Sequence, residues 1–205
     1  MLARPLNKDS QSSISPQAAI DELRLGNQRF LACATLERDW AKDISATTGE
    51  QYPFAIVLGC IDSRVPIETI FDQGIGDIFT VRVAGNIVNE DVLGSLEFAC
   101  ELAGAKAIVV LGHTSCGAVK GAIDAVRVGH LTTLLNKIEP IVDKVSASMD
   151  RDSPGFVDAV AEENVSHTVD VIRTSSEILA RMESSGDISI VGAMYDVTTG
   201  KVRFS

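Results

Sequence analysis

Apolar and polar positions along this chain follow two periods, and the switches between them mark its elements. Ile20, Leu23, Phe30 and Leu31 recur at helical spacing behind Ser15 and Pro16. That pair suits an N-cap and a first helical position, where the N–H that proline lacks would have no intrahelical partner. Gly26 alone interrupts the pattern, and the polar residues 1–14 read as a loose arm. From residue 54 the chain switches to short continuous apolar runs. Residues 54–59 and 107–112 are apolar up to a closing glycine, as in strands buried on both faces. Residues 78–83 and 188–194 are further strands, and 90–103, 116–128, 131–148 and 157–184 carry helical periodicity. Thr198-Thr199-Gly200 is a turn signal into a last short strand at 202–204.

Strands alternating with helices predict an α/β fold: a largely parallel central sheet flanked by helices, with the closing hairpin adding an antiparallel C-terminal edge strand. No repeat or linker divides the chain, so 15–205 reads as one domain, and 205 residues suffice for one well-buried core. Charge narrows the partners. Lys plus Arg is 18 against 28 Asp plus Glu, a formal net charge of −10. Such a surface disfavours nucleic acid and anionic membranes, both of which select cationic proteins. No apolar run approaches the roughly 18 residues of a membrane helix. The first ten residues lack the apolar stretch of a secretory signal, which predicts a cytoplasmic protein. Four cysteines in a chain of this length are too sparse for a disulfide framework. Cys33 and Cys100 read as small buried hydrophobes.

The other two cysteines stand where α/β sheets place their chemistry, beyond the carboxyl ends of strands. One run ends in Cys60-Ile61-Asp62-Ser63-Arg64 and the other in His113-Thr114-Ser115-Cys116-Gly117. Cys60, His113 and Cys116 thus arrive at one rim, and two thiolates with an imidazole suit tetrahedral zinc. Three ligands leave the site either open or closed by a fourth. Asp62 is the candidate fourth ligand, and Arg64 can compete for its carboxylate through a forked pair. Zinc with two thiolates is formally neutral. Its water is therefore less acidified than the pKa of about 7 at a three-histidine site, which predicts activity rising on the alkaline side.

These residues also carry a resemblance. Cys-x-Asp-Ser-Arg followed by His-x-x-Cys-Gly resembles the beta class of carbonic anhydrases, as do Asp72-Gln73-Gly74, Arg82-Val83-Ala84-Gly85-Asn86 and Gly94-Ser95-Leu96-Glu97-Phe98-Ala99. The likeness runs from Ser15 to the final hairpin. It implies zinc on Cys60, His113 and Cys116, an Asp62–Arg64 dyad, and reversible hydration of CO2 to bicarbonate and a proton. Zinc-bound hydroxide would attack CO2 while Asp62 accepts its hydrogen. By the same resemblance Gln51 and the Gly117 N–H would hold substrate oxygen, and Phe79, Ala84 and Phe98 would line an apolar substrate pocket. A homodimer or dimer of dimers is implied, with the site at the subunit interface. A bicarbonate-regulated subgroup carries tryptophan three residues before the first cysteine, where this chain has Val57. Arg82 and Tyr195 resemble the rest of that regulatory pocket, so such regulation is expected to be weak or absent.

Carbonyl sulfide and carbon disulfide are alternative substrates of the same chemistry. From other classes come a cysteine hydrolase using Cys60 with His113 as base, and a silent zinc-binding module. Gly74-Ile75-Gly76 fails as a dinucleotide loop because Phe79 stands where a third glycine is needed. Asn164-Val165-Ser166 falls in a predicted helix and is rejected as a glycosylation acceptor. His130 and His167 have no ligand-like neighbours, and no residue is assigned as proton shuttle.

Overall fold

The computed structural model describes residues 5–205, and its amino-terminal stretch is no loose arm. Asn7 and Ser10 cap α1 (Lys8–Ser12) reciprocally, Leu6 and Ile14 are buried, and Gln11 donates its amide to the carbonyls of Pro53 (2.7 Å) and Ala103 (2.8 Å). Over 5–14 the arm expected for 1–14 is folded onto the domain, where a polar composition conceals two apolar anchors and a buried amide. Residues 1–4 lie outside the described residues. α2 (Pro16–Leu31) starts as expected, with Ser15 Oγ accepting from the Ala18 N–H at 3.2 Å. Gly26 sits inside it because another segment crosses there: a Cβ would lie 1.8 Å from the Phe71 carbonyl oxygen. Cys33 is a correction, exposed rather than buried, with its backbone in the left-handed region (φ 51) as the chain turns away past the helix end.

α3 (Trp40–Thr47), capped by Asp39, precedes β1 (Ala55–Gly59), the short α4 (Ile67–Ile70) and β2 (Ile78–Arg82). Neither α3 nor α4 has enough apolar periodicity to be read from sequence. α5 (Glu90–Glu97) widens into a π-turn at Phe98–Leu102 and leads to β3 (Ala107–His113). The helix expected over 116–128 is α6 (Gly117–Ile123), ended by Ala125 in the left-handed region (φ 51). The next expected helix divides at a turn over 136–138 into α7 (Gly129–Leu135) and α8 (Glu139–Ser146), with Pro140 in the first turn of α8. The long one over 157–184 divides into α9 (Phe156–Ser175) and α10 (Glu177–Ser184). Ser176 makes that break, extended in backbone, capping α10 and donating its hydroxyl to Glu97 (2.6 Å). β4 (Ser189–Tyr195) and β5 (Val202–Phe204) close the chain.

The sheet order is β2-β1-β3-β4-β5, with β5 alone antiparallel, as the pattern predicts. β1 and β3 are central and buried at every position. Their alternate residues feed two cores. Ile56, Leu58, Ile108 and Val110 pack with α8 and α9, whereas Ala55, Val57, Val109 and Leu111 pack with α2 and α4. Asp72 of the Asp-Gln-Gly motif serves this scaffold, since its carboxylate receives Arg29 and Arg38 and ties α2 and the following loop to the 72–77 turn.

Candidate metal centre

Parallel pairing brings the chemistry together. Gly59, the last residue of β1, is level with Leu111 on β3, so Cys60 and His113 emerge side by side at the carboxyl rim. Cys116 follows one turn later as the N-cap residue of α6. The ligand atoms of Cys60, His113 and Cys116 all lie within 4.8 Å of one another, and all three residues are buried. Cys33 and Cys100 take no part. Burial pushes the Cys100 thiol up to about 12, which leaves it inert.

The donor set fits a thiophilic cation. His113 Nδ1 lies 2.9 Å from the Thr114 carbonyl, which can only accept, so Nδ1 carries the proton. Nε2 is then a bare lone pair, fully buried and without a hydrogen-bond partner among the described residues. A buried acceptor left unmatched is costly unless something else fills the place. The two sulfurs beside it act as a coupled pair. A hydrogen bond from Cys116 pulls the Cys60 thiol well below its usual range, and that same bond holds the Cys116 proton on. One thiolate beside an imidazole lone pair is a soft, metal-ready arrangement.

Asp62 lies at the mouth. Its Oδ2 is 3.9 Å from His113 Nε2, and both its oxygens are taken by Arg64: Nε to Oδ1 at 2.9 Å and Nη2 to Oδ2 at 2.8 Å. The Arg64 side-chain bond, chiefly, holds the carboxyl well below the usual carboxylate range. Arg82 holds the same turn from below, donating to the carbonyls of Cys60 (2.9 Å) and Asp62 (2.6 Å). Sequence reasoning placed Arg82 with Tyr195 in a regulatory pocket. In the fold they stand on β2 and β4, with two strands between them, and the Arg82 guanidinium is committed to backbone.

The remaining predicted residues divide. Ala84 and Gly117 adjoin the cluster, and open space lies where a Gly117 side chain would go. Phe79 and Phe98 form an edge-to-face pair (6.2 Å) in a groove beside the edge strand β2, with Phe98 half exposed. Gln51 precedes β1 and so stands beyond the opposite end of that strand from Cys60, with the five residues of β1, roughly 16 Å by the usual rise per residue, between them. Within one chain the two do not meet. Two supports carried no local signal. Asp158 on α9 accepts the Ser115 N–H (2.8 Å) and holds that residue in a left-handed conformation (φ 56). Asn164 reaches the turn behind Cys60. Only tertiary packing relates either to the site.

A model of the family described as carbonic anhydrase matches residues 55–202, most of the chain. The chain belongs to the beta-carbonic anhydrase family and is an enzyme of that class. Carbonic anhydrase 2 of Mycobacterium tuberculosis is 37% identical over 191 residues, covering 91% of both chains. The carbonic anhydrase of Mycolicibacterium smegmatis is 38% identical over 193 residues, covering 92% of this chain and 93% of its own. Among solved structures, the β-carbonic anhydrase CafA of Aspergillus fumigatus superposes with a TM-score of 0.73 at 30% identity, covering 80% of this chain and 81% of its own. A tetrameric β-carbonic anhydrase of Sordaria macrospora superposes at 0.71 and 25% identity, covering 78% and 84%. No helix among the described residues is long and apolar enough to cross a membrane.

Proposed function

We propose that this carbonic anhydrase catalyses the reversible hydration of CO2 to bicarbonate and a proton with zinc held by Cys60, His113 and Cys116. The observation that carries the reading is the buried, unpartnered His113 Nε2 facing two cysteine sulfurs beside a carboxylate already gripped by arginine. Zinc in that donor set supplies a Lewis acid that makes water nucleophilic at accessible pH. Asp62 accepts a hydrogen from the attacking water at Oδ2 and orients it. Arg64 keeps both carboxylate oxygens occupied and so keeps Asp62 from becoming a fourth ligand. The Gly117 N–H and Ala84 receive CO2 beside the cluster, and Phe79 and Phe98, which lie in a separate groove within one chain, complete the apolar wall from a second copy.

Gln51 acts, in this reading, from a second copy of the chain. Its place at the far end of β1 supports a homodimer or dimer of dimers with shared sites. A reducing compartment such as the cytoplasm suits ligands that must remain thiols.

Stopped-flow CO2 hydration by zinc-replete protein tests the proposal, followed from about pH 6.5 to 9, where metal-bound water titrates. The expected result is activity that climbs with pH and disappears in Cys116→Ser and on metal removal. Activity surviving metal removal would point to a cysteine hydrolase instead. Zinc-loaded protein without turnover at any pH would leave a silent binding module or a related substrate such as carbonyl sulfide.

A further inference from the structure

The Cys60 sulfur is held from behind by two hydrogen bonds in series that run out to α9. The Gly85 N–H points at Cys60 Sγ (3.4 Å), and the Gly85 carbonyl accepts from Asn164 Nδ2 (2.9 Å). The bonds lie on either side of the Gly85 Cα, so together they hold that residue at φ 69, ψ 15. This is the left-handed region, and the next residue, Asn86, is there too (φ 44). A non-glycine residue in that conformation is strained and persists only when its surroundings over-determine it. Thr168, one helical turn beyond Asn164, adds a bond from its hydroxyl to the Asn86 carbonyl (3.4 Å).

The turn has no room to relax outward. A Cβ at Gly85 would lie 2.7 Å from Ile138 Cδ1 and 3.3 Å from Ala118 Cβ, so α6 and the residue ahead of α8 close it in. Asn164 is 1% exposed and Thr168 3%, so water does not compete for either bond. Burial also disposes of Asn164 as a sugar acceptor. Among the described residues its amide therefore has one visible task, which is to aim the Gly85 peptide.

We propose that Asn164 is a positioning residue for the metal centre, acting through Gly85 to set the hydrogen bond received by the Cys60 sulfur. A thiolate that accepts an N–H bond is oriented by it and shares its charge with the donor, so outer partners of this kind tune both metal retention and ligand geometry. The inference rests on Cys60 being a metal ligand, as read above.

Asn164→Leu tests it, because leucine keeps the branched shape with neither donor nor acceptor. Two readouts at one fixed pH are zinc retention against a competing chelator and the thiolate-to-cobalt charge-transfer absorption of the cobalt(II)-substituted protein. Zinc retention weakened by about ten- to hundredfold, with a displaced charge-transfer band, is expected. A variant that melts earlier yet retains zinc and the cobalt spectrum of the wild type overturns the proposal, because the bond is then only a core contact. If Asn164→Leu does not fold, wild-type protein loaded with cadmium-113 decides. Scalar coupling between the metal nucleus and the Gly85 amide proton supports the relay, and its absence overturns it. Wild-type protein that binds none of these metals overturns the metal reading itself and the proposal with it.

Discussion

Arg64 grips Asp62 from two residues along the chain, with Nε on Oδ1 (2.9 Å), Nη2 on Oδ2 (2.8 Å) and its own backbone N–H on Oδ1 (2.9 Å). Every strong acceptor direction of the carboxylate toward that side is used. In Arg64→Ala the side-chain fork is lost and the backbone N–H bond to Oδ1 remains, which frees Oδ2, 3.9 Å from His113 Nε2 and close enough to swing onto a metal. CO2 hydration is expected to fall by about a hundredfold with zinc content unchanged, in line with the usual effect of losing such a partner. Arg64→Lys is expected to recover little, because an ammonium cannot fork across both oxygens. Metal analysis beside stopped-flow rates checks this; full activity in Arg64→Ala would remove the dyad from the mechanism.

Asn27 ties α2 to the carboxyl-terminal hairpin. Its Nδ2 donates to the carbonyls of Ile70 (3.2 Å) and Gly200 (3.0 Å), and its Oδ1 accepts the Val202 N–H (2.9 Å). The residue is 4% exposed, so Asn27→Ala strands buried backbone groups at a cost of about 1–3 kcal/mol each. A loss of about 3 kcal/mol in denaturant unfolding is expected, with faster amide exchange at Val202.

Gly26→Ala sets two effects of opposite sign against each other. Alanine gains about 1 kcal/mol of helix propensity over glycine. Against that, its Cβ would sit 1.8 Å from the Phe71 carbonyl oxygen, and backbone gives way less easily than the end of a side chain. Forced separation of α2 from the segment after α4 costs about 1–3 kcal/mol or more, so the net change is destabilising. A melting temperature equal to or above that of the wild type would mean the two segments separate freely.

Glu183 gives a pH-dependent term. A forked bond from Arg173 chiefly, opposed by burial, lowers its pKa from the usual 4.5. The folded state thus binds this proton less readily than the unfolded one. The stabilisation is fully present above the unfolded value and is lost as pH falls through the lower folded value. Glu183→Gln is therefore expected to melt below wild type near neutral pH, with the gap closing below about pH 4.5. Paired melting curves across that range check it, and a gap independent of pH would exclude the ion pair as its source.

Much of the architecture was legible because burial on both faces of β1 and β3 demands unbroken apolar runs, and those runs stand out against helical periodicity. The cluster was legible too. Parallel strands end at the same rim, so Cys60 and His113-x-x-Cys116 had to meet once their strands were recognised as neighbours. Helix ends were less readable. Ser176 and the turn over 136–138 interrupt runs whose apolar spacing continues across them, and α1 is fastened by Gln11, a residue whose type argues for exposure.

By itself, then, the sequence determined the fold class, the candidate metal donors and the short Asp62–Arg64 pairing, since strand ends in a parallel sheet share one rim and a two-residue separation survives any packing. Tertiary structure decided what depends on long-range proximity. It put Gln51 beyond the end of β1 opposite Cys60, committed Arg82 to the Cys60 and Asp62 carbonyls, and brought Asn164 within 2.9 Å of Gly85, 79 residues earlier in the chain. No local pattern records such contacts, because a side chain on a helix presents the same sequence whether its neighbour is water or the back of a metal ligand.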